Sequence, residues 1–379
     1  MYSATQPTSL KADGYTENDI MDFIVKIKPG RAIVAGSMRV SGLLNVQVNR
    51  KVGGLQNITI DDKLHLDPLV GIHSVFRSIN TQNMNSTLEN IQGYGRNVSM
   101  ARQAQYDMNT INSSAMLQNE LCGISNVYPL LGNIKRDDKH YISFSCLPQF
   151  CLNMANDNLH QSKFPNVQVS FTLANGIEAF YTDLLNNSDY MAGNSGYTDI
   201  KYTLQDVKLE WIEVAQATAT PVDMLVKHLF SQTINNETSY LNVSTPQMYN
   251  SISTSFIEQS KRNSIFHNNL LCEKVKGLDL QGGALQILIN SQDTIIPYEI
   301  KDYEETAFNY LKSLNGNPLK NMITNEYLNN LMSFGIGFQL LTSSNDRLAI
   351  NLKINSDAYP NNTIPAMDAF IYINSFISM

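Results

Sequence analysis

Charged residues are scarce in this chain. They make up 16% of its 379 residues, whereas an ordinary soluble domain carries about 25%. The formal net charge is −7 and the pI is near 5.4. No basic arm or patch supplies the positive surface that neutralises phosphates. The sequence therefore predicts no direct nucleic-acid site.

Asn, Ser, Thr and Gln take the place of the missing charge. A neutral polar surface suits a protein that covers much of itself with copies or partners. An AT-rich genome, whose codons favour Asn, Ile and Lys, explains the same composition equally well. The composition alone does not choose between these two explanations.

Targeting and membrane-spanning segments are also missing from the pattern. Residues 1–20 lack the basic and apolar regions of a signal peptide. No apolar run approaches the roughly 20 residues that a membrane helix needs. We expect a soluble protein that is synthesised in the cytoplasm, with no transmembrane segment.

Cysteine and histidine are few, and their spacing matches no metal motif. The chain has four cysteines and six histidines; they are Cys122, Cys146, Cys151, Cys272, His65, His73, His140, His160, His228 and His267. No CxxC, HxH or HExxH spacing occurs among them. The sequence predicts buried free thiols and no metal site.

Catalytic motifs are equally hard to find. The segment GYGRNVS lacks the remaining glycine and the lysine of a phosphate loop, and GSMRVSG lacks the spacing of a nucleophile elbow. The acidic pairs Asp61-Asp62, Asp137-Asp138 and Glu304-Glu305 could serve a glycosidase, but such pairs are far more often surface or capping residues. The sequence predicts no catalytic, cofactor-binding or metal-binding residue, and no enzyme.

A long alternating stretch from Val34 to Asn49 is the clearest structural signal. One face is apolar or glycine throughout, and the other is polar apart from Ala35 and Leu43. A period of two predicts a half-buried β-strand. Its length favours a large sandwich or barrel, with a bend at Gly36 or Gly42.

Further segments alternate in the same way, and few predict helices. About ten strands are expected, among them residues 72–81, residues 167–173 and the Trp211-bearing segment 202–214. Ser86 and Glu89 form a capping box that predicts a short helix start. Residues 302–314 carry the clearest helical stripe, with Asp302 as its N-cap.

The absence of βαβ alternation argues against a parallel sheet. No internal repeat of fixed period is visible. We predict an all-β chain: an antiparallel viral jelly roll, or β-sandwich, with an additional β-rich domain and a few short helices. The small, polar, Pro-terminated segment 215–223 divides the chain, so the expected parts are an extended arm (1–20), a jelly roll (21–215) and a second β-rich domain (216–379).

The order of several stretches along the chain is informative in itself. A Pro-Gly turn is followed by AGSMRVSG, LDPLVGIHSVFRSINT, STLENIQGYGRNVSM, FSCLPQFCLN, KFPNVQVSFTLANGIEAFY, YTLQDVKLEW, FIEQSKRN, IIPYEIKDYEETAFNYL, FGIGFQ and AFIYINSFI. This succession resembles the penton, or vertex, capsid proteins of virophages and polinton-like viruses, and is most similar to the Sputnik-type virophage penton. The resemblance covers most of the chain.

The resemblance implies a structural virion protein at the capsid vertex, synthesised in the host cytoplasm. Five copies would form a homopentameric ring that meets trimeric, double jelly-roll major capsid proteins, and a host glycan or receptor is a further conceivable partner. Residues 216–379 would be an outward-projecting insertion or a second jelly roll. The arm would reach beneath a neighbouring capsomer and become ordered only on assembly.

Two other classes of function remain open from the residues. Fused rolls at residues 20–215 and 222–379 would make a major capsid subunit, and a carbohydrate-binding or receptor-attachment domain would use the same sandwich. The polar face of the long strand is a candidate subunit contact in the capsid readings; it comprises Ser37, Arg39, Ser41, Asn45 and Gln47.

Overall fold

In the structure, a computed structural model, antiparallel strands are the main secondary structure. The structure describes residues 1–123, 127–128, 134–136, 138–184, 188–244, 249–277, 285–289, 298–299, 303–316, 321, 333–342 and 347–379. The strands up to residue 215 are β1 (Tyr2–Thr5), β2 (Ile20–Val25), β3 (Arg31–Ile33), β4 (Arg39–Arg50), β5 (Gly54–Asn57), β6 (Leu64–Leu66), β7 (Phe76–Asn83), β8 (Ser86–Gln92), β9 (Ile134–Arg136), β10 (Lys139–Cys146), β11 (Leu159–His160), β12 (Val167–Leu173), β13 (Phe180–Thr182) and β14 (Tyr197–Ala215).

The later strands are β15 (Asp223–Ile234), β16 (Thr238–Ser244), β17 (Tyr249–Glu258), β18 (Leu285–Ile289), β19 (Tyr298–Glu299), β20 (Ser333–Thr342), β21 (Arg347–Lys353) and β22 (Met367–Ser378). The described α-helices are short; they are α1 (Tyr94–Gln105), α2 (Met108–Ser113), α3 (Ala115–Asn119), α4 (Gly176–Ala179), α5 (Ser188–Ala192) and α6 (Tyr303–Ser313).

The same strand order occurs twice along the chain. In the first sandwich, β1-β14-β4-β10 form one sheet and β2-β12-β7-β8 the other, when the short additional strands are set aside. In the second sandwich the orders are β15-β22-β17-β20 and β16-β21-β18-β19. If the eight main strands of each sandwich are numbered 1 to 8 in chain order, the two sheets of each sandwich have the strand orders 1-8-3-6 and 2-7-4-5. This is the strand order of a jelly roll. The predicted fold class is confirmed, and the second β-rich part repeats the topology of the first.

The first residues of the chain complete the first sandwich. Strand β1 pairs with β14, from Tyr2 opposite Ile212 to Thr5 opposite Leu209. Further along, Tyr15 is buried and bridges Leu204. This differs from the predicted extended arm, since residues 2–5 and Tyr15 pair with the chain's own strand β14. A strand as long as β14 has two edges of backbone groups to satisfy, and β1 covers part of the edge that β4 leaves open.

The long strand is shorter than its sequence pattern. Gly36 has a φ of +71° and ends the extended run between β3 and β4. The predicted apolar face is confirmed beyond that turn, since Met38, Val40, Leu44, Val46 and Val48 are all fully buried. Of the two predicted bends, Gly36 is the one at which the strand breaks.

Of the other predicted elements, one strand and one helix are confirmed, and one strand begins later than predicted. The predicted strand at 202–214 is confirmed within β14, and the helix at 302–314 is confirmed as α6, although Asp302 lies outside the described residues. The predicted strand at 72–81 begins only at Phe76, because a 3₁₀ helix occupies Gly71–Val75.

The capping-box prediction at Ser86 is wrong. Residues 86–92 are strand β8, which forms a hairpin with β7 after a turn at Met84, where φ is +48°. Glu89 does not reach back to a helix start; its buried carboxylate accepts hydrogen bonds from two distant main-chain N–H groups. Cross-strand pairing outweighs a local capping pattern here, and the helix starts only at Tyr94.

The two sandwiches share a continuous junction. The apolar core of the first includes Val222, Met224, Val226 and Ile265, which all follow residue 215. Helices α1 and α6 precede the sixth main strand of their respective sandwiches, and they touch: the Gln105 amide donates to the Leu314 carbonyl at 3.2 Å. The two halves are therefore packed through side chains of both.

Glu89 is the central polar group of this junction. Its carboxylate oxygens lie 2.6 Å from the Cys151 nitrogen and 2.7 Å from the Lys227 nitrogen, so it links β8 to β15. Burial raises the pKa of Glu89 to about 7, although these hydrogen bonds and the nearby Lys227 ammonium act in the opposite direction. Burial also lowers the pKa of Lys227 to about 8.

Removing the first strand tests whether it belongs to the sandwich. Deletion of residues 1–5 takes away the hydrogen bonds of β1 and exposes the edge of β14. We expect the midpoint of thermal unfolding to fall by about 5–10 °C, with more aggregation. Tyr2→Ser is the matched control, because that side chain is 82% exposed. An unchanged midpoint in the deletion variant would mean that β1 contributes nothing to the isolated subunit.

The raised pKa of Glu89 predicts a pH dependence of stability. Its ordinary value is 4.5 and its folded value about 7, so the folded chain holds the proton more tightly. That stabilisation, about 3 kcal/mol, is present below pH 4.5 and is lost as the pH rises through 7. Thermal unfolding between pH 5 and 8 should therefore show a flatter profile for Glu89→Gln than for the wild type.

The exposed Glu304 provides the control for this measurement. Glu304→Gln should keep the wild-type slope. The histidines are the same in all three proteins, so they contribute equally to each pH profile. Equal slopes for the wild type and Glu89→Gln would therefore contradict the raised pKa of Glu89.

Candidate assembly surfaces

The polar face of β4 is largely occupied by contacts within the chain. The Arg39 and Ser41 side chains both donate to Glu210 at 3.0 Å. The buried Asn45 amide donates to the His140 carbonyl at 2.8 Å, and Gln47 donates to Asn57 at 3.3 Å. These contacts follow from the position of β4 between β14 and β10. Of the predicted contact residues, only Arg39 is exposed, so this face has little left to offer a neighbouring subunit.

A group of exposed apolar side chains stands beside the far end of β4. Val52, Leu55 and Ile60 are 58%, 51% and 59% exposed. We call these three residues the hairpin patch, because they lie in the β4–β5 hairpin and in the 3₁₀ turn at Ile60–Asp62 that follows it. Protein–protein contacts bury exposed apolar side chains, so the hairpin patch is a candidate contact.

A buried ion pair fixes the base of the hairpin patch. The Arg50 guanidinium donates to both oxygens of Asp62, at 2.9 and 2.7 Å. The Tyr190 hydroxyl and the Thr59 main-chain nitrogen also donate to this carboxylate, at 2.7 and 2.6 Å. Burial raises the pKa of Asp62, but these hydrogen bonds outweigh it, so the pKa lies below its ordinary value. The hairpin patch is thus held on a rigid support.

A second exposed apolar group lies on the helices between β8 and β9. Met108 in α2 and Met116 in α3 are 37% and 47% exposed. Asp107 and Ser114 cap these helices by accepting from the main-chain nitrogens of Thr110 and Leu117. The short helices present methionine, a flexible and polarizable side chain, on the surface.

A buried polar cluster anchors this helical segment. Glu120 pairs with Arg102, and its carboxylate lies 3.2 Å from Nε2 of His73. The His73 ring is also 2.8 Å from the Tyr94 hydroxyl, which accepts from the Gln149 nitrogen. Burial opposes ionisation of Glu120, yet its cationic and main-chain partners lower its pKa to about 2. The cluster is closed to solvent, so its part is structural.

The residues considered for chemistry are not brought together. Asp62 belongs to the buried ion pair and Asp61 is exposed. Asp137 lies outside the described residues. In the part of the chain that the structure describes, no three His, Cys, Asp or Glu side chains are grouped so as to hold a metal ion. The four cysteines are buried, as predicted, and burial raises the pKa of each thiol.

The described helices are all too short or too polar to cross a membrane. Sequence reasoning missed the hairpin patch, because the predicted strand ends at Asn49 and no hairpin was predicted after it. The available signal was Leu55 and Ile60, two large apolar residues beside a Gly-Gly turn.

Comparisons with known proteins find relatives only at the level of structure. No protein-family model and no curated protein matches the chain. A chain of the Sputnik virophage, solved by cryo-EM, has a TM-score of 0.60 at 11% identity and is matched over 100% of this chain and 86% of its own. A chain of the PBCV-1 virus capsid has a TM-score of 0.58 at 10% identity, over 100% of this chain and 94% of its own.

The major capsid protein of Faustovirus is similar to the same degree. Its TM-score is 0.57 at 8% identity, and the match covers 100% of this chain and 90% of that protein. At such identities these likenesses show the fold alone. That fold is the jelly-roll fold of viral capsid proteins, and it extends over both sandwiches.

The support beneath the hairpin patch can be tested by breaking the ion pair. Asp62→Asn leaves the buried Arg50 guanidinium without its anion, and we expect unfolding to become easier by about 3–5 kcal/mol. Asp61→Asn, at the exposed neighbouring position, should change little. Chemical denaturation measures both variants.

A double variant tests whether the loss of stability comes from leaving one buried charge without its partner. Arg50→Met with Asp62→Leu removes both charges, so it should be less destabilised than the sum of the single variants. Additive single effects would show that the two side chains do not depend on each other.

Proposed function

We propose that this chain is a structural subunit of an icosahedral virus capsid, of the kind that carries two jelly rolls in one chain. The observation that carries the proposal is the repeated strand order, 1-8-3-6 and 2-7-4-5, in two sandwiches joined by a shared core. The match to a viral major capsid protein supports it, because it extends over 100% of this chain and not over one sandwich only.

The surface agrees with a role in assembly. Charged residues amount to 16% of the chain, and a largely neutral polar surface suits contacts between repeated copies better than a field of like charges does. Three copies of a chain with two similar sandwiches place six similar units around one axis. Such a block can tile a shell as a near-hexagonal unit, which gives the duplicated topology a geometric purpose.

The vertex subunit is the second candidate. It is favoured by the succession of motifs from AGSMRVSG to AFIYINSFI, which resembles virophage pentons. A penton closes a ring of five, with one patch of each subunit meeting a different patch of the next. On either reading the protein is a structural component of the virion whose neighbours are copies of itself and other capsid proteins.

The mass of the purified assembly distinguishes the two candidates. The subunit mass is 42.5 kDa; light scattering coupled to size exclusion should give three times this value for a major capsid block and five times for a vertex ring. Negative-stain images of the same sample should show threefold or fivefold symmetry. A protein that stays monomeric over the whole accessible concentration range would contradict both.

The hairpin patch allows a second, independent check. We expect Leu55→Glu to shift the assembly towards monomer, because it places a charge in an apolar contact. Leu10→Glu is the matched control, since Leu10 is 69% exposed and lies outside the patch. If both variants assemble like the wild type, the hairpin patch is not the contact between copies.

A further inference from the structure

A cavity of about 240 Å³ opens at the junction of the two sandwiches. We call it the junction cavity. The first sandwich and its helix contribute Arg77, Gly93, Arg96 and Glu178 to its wall, and the second contributes Ser231, Arg262 and Phe370. It lies apart from the hairpin patch, and it adjoins the buried Glu120 cluster through Tyr94, which lines the cavity.

Three arginines surround the junction cavity, and only two of them pair with a carboxylate. Arg77 pairs with Glu178 at 3.0 Å, and Arg262 pairs with Asp368 at 2.6 Å. Arg96 is 5% exposed, yet it has no carboxylate partner among the described residues. Its guanidinium donates to the main-chain carbonyls of Asn269 and Leu271.

A buried guanidinium without an anion is costly. Main-chain carbonyls satisfy some of its five N–H donors but supply no negative charge. Phe370 adds a modest cation–π contact, with its ring centroid 4.8 Å from Arg96 and 5.7 Å from Arg262. The most buried of the three arginines is thus the one that lacks a counter-ion.

The backbone at the start of helix α1 also favours an anion in the junction cavity. Gly93 is the N-cap, with a φ of +58°, and no side chain caps the first N–H groups. Gly93, Tyr94 and Gly95 line the junction cavity together with Arg96. Uncapped N–H groups and the positive end of the helix dipole favour an anion at this position.

We propose that the junction cavity binds a compact oxyanion, a phosphate or carboxylate group, between Arg96 and the start of helix α1. Glu178 already pairs with Arg77, so the anion would be held by Arg96 and not by Arg77. The bound anion would contact residues of both sandwiches and would therefore stabilise their packing, in addition to any role in the capsid.

The test is thermal unfolding of the full chain with added anions. Inorganic phosphate is titrated at constant ionic strength, with sodium chloride as the compensating salt, and acetate is titrated in parallel. We expect the unfolding midpoint to rise with phosphate or acetate by more than chloride produces, because a ligand of the folded state raises its stability. A rise with acetate as well as phosphate identifies a carboxylate-type site; a rise with phosphate alone identifies a phosphate site.

Two variants locate the effect. Ser231→Glu places a carboxylate at the exposed mouth of the cavity, and we expect it to weaken anion binding about tenfold. Asn236→Glu adds the same charge at an exposed position outside the cavity and should bind as the wild type does. Arg96→Gln keeps donors for the Asn269 and Leu271 carbonyls but removes the charge, and should abolish the response.

The proposal fails if phosphate and acetate act no differently from chloride on the wild type. It also fails if Ser231→Glu and Asn236→Glu respond alike. The comparison of Ser231→Glu with Asn236→Glu still decides the test if Arg96→Gln does not fold. None of these outcomes bears on the assembly mass, so the capsid proposal stands or falls separately.

Discussion

The ladder between β4 and β14 is the constraint on which the first sandwich depends. It runs from Arg50 opposite Tyr197 to Arg39 opposite Glu210, and it is interrupted by a bulge near Asp206, where φ is +51°. A Cβ at Gly42 would lie 3.0 Å from the Gln205 carbonyl, so a larger residue there would press on the bulged strand. Strands β1, β3, β5 and β10 pair directly with one of these two, and β9 and β11 are attached to the sheet through β10 and β3.

Local periodicity predicted the elements whose structure is decided locally. The buried face of β4, the Trp211 strand and helix α6 all follow from spacing along a few residues. Ser86 and Glu89 show the limit of this reasoning. Their spacing fits a helix cap, but β7 offers a backbone edge and residues 151 and 227 offer N–H groups, none of which is visible from positions 86–89.

The sequence left a second jelly roll as one of two alternatives for residues 216–379 and could not choose between them, for a related reason. A jelly roll is defined by which strands pair, and pairing joins residues that are far apart in sequence. The two sandwiches share strand order without a visible sequence repeat, because alternating apolar residues of many kinds satisfy the same sheet. The junction groups escaped prediction as well: nothing near Arg96 shows that Phe370 and Asn269 will surround it.

Pairing between the first and last main strands of each sandwich also orders folding in time. Strand β1 is synthesised well before its partner residues, Leu209 to Ile212. At about 5–20 residues per second, the ribosome supplies that partner on the order of ten seconds or more after β1 emerges. The second sandwich repeats this delay, since β15 pairs with β22, the eighth main strand of that sandwich among the described residues. Each roll can close only when its final strand arrives, which keeps edges exposed during translation and delays the appearance of any surface that a neighbouring subunit could bind.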